Sequence, residues 1–164
     1  MHYEEFKSLY QKFNNDSDKE NFLQNYVDED MSEELANFLL DIGINSKESD
    51  LSRNEAFKIL RIYIGDFDYS EIFKKIIHFV NNVNEDIYLR IEALSILKRA
   101  LITVNEADFA MSTLKENENE LIASAVLQVL TFHRKLPFVK LILRQLIEDK
   151  SAFAEDAQIA LDSD

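Results

Sequence analysis

Three histidines, His2, His78 and His133, are the chain's imidazoles, and no two stand close together in sequence. No H-x-x-x-H or H-E-x-x-H spacing occurs, so no helix face presents paired imidazoles to a zinc ion. Cysteine is absent, which removes disulfides, thiolate nucleophiles and sulfur-ligated metals. Two glycines in 164 residues cannot build a P-loop, a dinucleotide-binding glycine pattern or a G-x-S-x-G elbow. Asp66-Phe67-Asp68 follows Gly65 as a calcium loop would begin, but the remaining oxygen ligands are missing. No Glu-x-x-His di-iron motif occurs. The 31 acidic residues supply many carboxylate pairs. Acid–base catalysis, however, needs burial that splits two pKa values, and no spacing here specifies it. The expectation is a protein that is not an enzyme and carries no metal or cofactor.

What remains is charge. Against the acids stand 18 Lys and Arg, a net charge of −13. Such a field repels a phosphate backbone and steers a basic partner inward. The acid is unevenly spread. Residues 16–55 hold 12 acidic and 3 basic residues, with Asp28-Glu29-Asp30 and Glu33-Glu34 the densest part. Residues 105–122 hold 5 acidic and 1 basic, whereas 133–150 hold 5 basic and 2 acidic. Arg134, Lys135, Lys140 and Arg144 form a patch too small for a nucleic-acid groove. The loop Gly65-Asp66-Phe67-Asp68-Tyr69 mixes acids with aromatics. Asp66, Asp68 and Tyr69 suit the rim of a protein interface. The plainer reading is that Phe67 and Tyr69 staple the next helix.

The elements that carry these groups are helices. Two Gly, one Pro and no Asn-Gly or Asp-Gly pair leave hairpin turns without their residues, so the fold class is all-α. About ten helices follow from the periodicity. The first covers 2–14, with Tyr3, Phe6, Tyr10 and Phe13 on one stripe, and the second 18–29, with Phe22, Leu23, Tyr26 and Val27. Ser32 opens the third, and Gly43 stops it in a left-handed conformation. Ser52-Arg53-Asn54-Glu55 fits a capping box for a helix to about 65. Further helices cover 69–83, 86–103, 105–115, 119–133, 137–149 with Pro137 at its first position, and 152–162 capped by Ser151. Met1-His2-Tyr3-Glu4-Glu5 has no basic region leading an apolar run, and no apolar stretch reaches the ~18 residues of a membrane span. The expected location is cytoplasmic, without a membrane partner.

An alanine recurs among these helices. Arg53-Asn54-Glu55-Ala56-Phe57-Lys58-Ile59-Leu60 matches Arg90-Ile91-Glu92-Ala93-Leu94-Ser95-Ile96-Leu97. Weaker copies centre on Ala125 and Ala157, giving spacings of 37, 32 and 32 residues. A period of this size marks stacked supersecondary units. A small residue in the seam lets helix axes approach to ~8–10 Å. The pattern resembles the second helix of HEAT-type repeats, where an Arg stands three before a small residue and a Leu four after. Arg53 and Arg90 match the basic position; Ile122 and Ala154 do not. The resemblance spans residues 31–162 as four degenerate helical hairpins and implies a short α-solenoid in one domain, with residues 1–30 as capping helices.

The residue before each repeating alanine is Glu55, Glu92, Ser124 or Asp156. Three of the four are acidic at one place in the repeat, beside the seam. The expectation is an acidic ladder of Glu55, Glu92 and Asp156 along the surface that solenoids use for binding. In size, charge and repeat type the chain looks like the HEAT-like immunity proteins of bacterial polymorphic toxin or contact-dependent inhibition systems. That resemblance implies a basic toxin domain, of nuclease type, as the partner, held by charge-complementary occlusion. The alternative is a scaffold or adaptor that recognises a peptide or helix through apolar anchors. A DNA-binding HEAT protein of the alkylation-repair type would need a basic groove that this chain lacks. Nothing in the residues specifies an oligomeric state.

Overall fold

The computed structural model of the chain describes residues 2–27, 31–63, 65, 67–116 and 119–163. Among them are ten α-helices and no strand, so the protein is all-α. The chain divides into two compact units, Met1–Arg99 and Ala100–Asp164. The first holds α1 (Tyr3–Lys12), α2 (Asp16–Gln24), α3 (Glu33–Ile44), α4 (Asp50–Ile62), α5 (Ser70–Val80) and α6 (Ile87–Ile96). The second holds α7 (Val104–Glu116), α8 (Glu120–Phe132), α9 (Pro137–Glu148) and α10 (Ala154–Asp162). No described helix is long and apolar enough to cross a membrane.

In the first unit α3 packs on α4 and α5 on α6. Helices α2, α4 and α6 touch in succession, as do α1, α3 and α5. In the second unit α7 packs on α8 and α9 on α10, with further contacts from α7 to α9 and from α8 to α10. The repeating alanines form the seams of these packings: Ala56, Ala93, Ala125 and Ala157 are all buried. An aromatic cluster joins the first three helices, with Phe6 in edge contact with Tyr26 and Phe38, and Phe22 tilted against it at 4.9 Å.

Polar residues at the helix starts explain most boundaries. Ser32 accepts the Leu35 N–H, Asp86 those of Tyr88 and Leu89, and Asn119 those of Leu121 and Ile122. Pro137 occupies the first turn of α9. Helix α4 begins earlier than the capping box at Ser52 suggests. Ser49 is its cap, accepting the Ser52 N–H at 3.2 Å, while Ser52 is buried one turn in. Helix α7 carries a reciprocal cap that starts at Thr103. Glu106 accepts the Thr103 N–H at 2.7 Å, and the Thr103 hydroxyl accepts the Asn105 N–H at 3.2 Å.

The helix ends depart further from the sequence pattern. α4 stops at Ile62, where Tyr63 turns extended, and α6 stops at Ile96. After Ile96 the N–H groups of Leu97, Lys98 and Arg99 bond three residues back, tightening the chain out of the α-helix. Gly43 does not stop α3 through a left-handed conformation. It lies inside the helix, and no described glycine has a positive φ. A methyl group there would meet the Phe57 ring, with Cδ1 only 2.7 Å away. Glycine is needed at 43 because α4 approaches so closely.

Candidate functional site

Within the first unit, the two arginines of the repeat do the same thing 37 residues apart. Arg53 Nε donates to the Gly43 carbonyl at 3.0 Å, and Arg90 Nε to the Val80 carbonyl at 2.6 Å. Each reaches from the start of a second helix back to the end of the helix before it. Those last carbonyls have no partner within their own helix, and a guanidinium suits the negative end of the helix dipole. Both side chains are buried. Arg53 also donates to Glu85 at 2.6 Å and lies over the Phe79 ring at 5.5 Å. These arginines are structural, and their charge is turned inward.

The proposed ladder divides between the units. Glu55 is 13% exposed in its side chain and pairs with Lys58 at 2.7 Å along α4. Glu92 is 18% exposed and pairs with Arg61 at 3.3 Å, which joins α6 to α4. Lys98 stands beside them. Burial lowers its pKa, nearby Arg61 adds to the effect and Glu92 opposes it. The α4–α6 face therefore mixes signs: Glu55 is paired with Lys58 and Glu92 with Arg61, with Lys98 close by. In the second unit Ser124 and Asp156 are exposed, Asp156 in the first turn of α10 beside Glu155.

The 65–69 loop is held from inside. Tyr69 is buried, its hydroxyl accepts the Gly65 N–H at 2.9 Å, and its ring stacks on Phe67 at 4.3 Å. Burial raises the Tyr69 pKa. Gly65 lies so near the Met31 carbonyl that a side chain there would collide with backbone. Asp68 is exposed and starts α5, accepting the Ser70 N–H at 2.9 Å and the Ser70 hydroxyl at 3.0 Å. Those bonds hold its carboxyl below the usual range. Asp66, like Asp28, Glu29 and Asp30, lies outside the described residues. The aromatics thus staple the loop to α5, and Asp68 faces solvent while Tyr69 does not.

No group of three His, Asp or Glu capable of holding a metal ion is present among the described residues. His2 and His78 are exposed, while His133 is buried at the end of α8 against Phe132. Two features escaped the sequence pattern. Arg61 gave no signal as the partner of Glu92, because it precedes that residue by 31 positions on another helix. Val27, which the periodicity placed in the apolar stripe of the second helix, is 84% exposed. Comparison with protein-family models, with curated proteins and with solved structures finds no match to the chain.

Proposed function

We propose that this chain is an acidic protein-binding module that holds a basic partner, with a toxin domain of nuclease type as the partner it fits best. One observation carries the reading: several cations of the first unit are fixed inward or in ion pairs, while many carboxylates at helix starts stay exposed and outside any ion pair among the described residues. Arg53 and Arg90 are buried, and Lys19, Lys58, Arg61 and Lys75 are held in ion pairs with Glu48, Glu55, Glu92 and Asp41. Glu4, Glu5, Asp16, Asp18, Glu33 and Glu34 are exposed at helix starts of the first unit, and Glu120, Glu155 and Asp156 at those of the second. Each complements a helix dipole. Together with the net charge of −13 they make a field that accelerates the approach of a basic surface.

The helix contacts within each unit also support the HEAT-like reading, because second helices touch second helices and first helices touch first. The partner contact then falls on exposed carboxylates such as Asp156, with Glu55 and Glu92 as a charge-balanced background. Co-expression with the product of the adjacent gene tests the proposal. A basic product held at ~0.05 M salt and released by ~0.5 M supports it, since that range screens exposed charges. A product held equally at both would point to the adaptor reading. That second reading has its own observation: Leu51 and Tyr88, 37 residues apart at the same place in α4 and α6, are 42% and 71% exposed. Such residues are anchors for an apolar ligand.

A further inference from the structure

Resting on that reading, we propose that a groove along α2 takes an arginine or lysine side chain of the basic partner. The groove has a volume of about 470 Å³. It is lined by Phe13, just past α1, and by Asp18, Asn21, Phe22 and Tyr26. Steps of three and four residues place those four on one side of α2 and the turn that follows it. The Phe13 and Phe22 rings pack on each other with centroids 5.5 Å apart, and the exposed Val27 also lines the groove. Tyr26 is buried, and its hydroxyl has no hydrogen-bond partner among the described residues.

The lining selects for charge as well as shape. Among the described residues Asp18 is the groove's carboxylate, and no Lys or Arg lines it. Asp18 spends one oxygen on the Asn15 side-chain amide at 2.8 Å, leaving the other for an incoming donor. Long cationic side chains lay their methylene stems on apolar walls and keep the head at a polar rim. Aromatic faces add attraction for that head. Among the described residues the chain already combines these groups twice. Lys19 lies 5.2 Å from the Tyr10 ring centroid and 2.9 Å from Glu48. Arg53 lies over Phe79 and 2.6 Å from Glu85. The groove offers the same pairing of aromatic ring and carboxylate to a cation from outside. A glutamate or aspartate of a partner would meet Asp18 and be repelled.

The test is a titration of the isotope-labelled full-length chain with N-acetyl-arginine methylamide, followed by amide chemical shifts. The glutamate and leucine derivatives serve as controls. Asp18→Lys and Val27→Lys alter exposed positions, and a thermal melt checks that each folds. Shifts confined to residues 13–27 with the arginine derivative, absent with glutamate and weakened about 3- to 10-fold by either variant, support the groove. No shift up to about 20 mM arginine derivative overturns it, as does leucine binding equally well. Two results separate this proposal from the reading beneath it. A basic partner whose salt-sensitive binding ignores both variants overturns the groove and leaves the partner standing. Arginine binding in the groove with no basic partner found supports the groove's chemistry and removes the partner.

Discussion

The two units close their helix pairs with the same residue type used in opposite ways. In the first, Arg53 and Arg90 are buried at the starts of α4 and α6 and reach back to the carbonyls of Gly43 and Val80. In the second, Ile122 and Ala154 stand at the corresponding places, and Ile122 is buried without charge. There Arg134, after α8, reaches forward to the Ser163 carbonyl at 2.8 Å beyond the end of α10. It also donates to the Thr131 carbonyl at 3.3 Å, near the end of its own helix. The alanine seam tolerates either arrangement. The arginine is thus a device for satisfying helix-end carbonyls, and it can be moved once the seam is apolar. All six tyrosines also lie in the first unit, so alkaline titration of tyrosine reports on that unit alone.

Removing the buried arginine is the strongest way to break this contrast. Arg53→Met should cost about 3–5 kcal/mol in urea unfolding, because Glu85 and the Gly43 carbonyl are left without their partner. Arg90→Met should cost less, about 1–3 kcal/mol, since the Val80 carbonyl is the bond it loses. Gly43→Ala comes next, at about 1–3 kcal/mol, because the methyl group must push the Phe57 ring aside. Arg134→Ala should cost under about 1 kcal/mol, since its bonds to the Ser163 carbonyl lie at the surface. An Arg134 loss as large as that of Arg53 would erase the distinction between buried and surface arginines.

The smallest effect is one of pH. Burial, and then the bond donated to Glu48 at 3.0 Å, raise the Tyr10 pKa above its unfolded value of ~10. The neutral phenol is the favoured form in the fold. Its stabilisation is present below pH ~10 and is lost as pH rises from there toward the folded value. Stability measured against alkaline pH should therefore fall less steeply in Tyr10→Phe than in the parent. Identical slopes would mean that Tyr10 is not linked to folding.

The helices themselves were legible because stripes such as Tyr3, Phe6 and Tyr10 and caps such as Ser32, Asn119 and Pro137 act locally. Their ends were not. The stop after Ile96 depends on bonds three residues back, and Gly43 matters through Phe57 on the next helix. Two serines three residues apart compete to cap α4, and only packing puts Ser52 inside and leaves Ser49 at the boundary. The Thr103-x-x-Glu106 cap is written in the sequence, just ahead of the 105–115 span that the periodicity marks. Arg53 and Arg90 could be recognised as equivalent, yet their acceptors could not. Charge was hardest to place. An acidic letter beside an alanine says nothing of whether a cation such as Arg61 waits on the adjoining helix.

On the proposed function, exposed carboxylates steer a basic partner onto this protein. Stopped-flow association with the basic product of the adjacent gene, measured from ~0.02 to ~0.5 M salt, is the test. The predicted result is an association rate that falls at least ~10-fold over that range while dissociation changes little. A rate independent of salt would contradict the claim and place the binding energy on apolar anchors such as Leu51 and Tyr88.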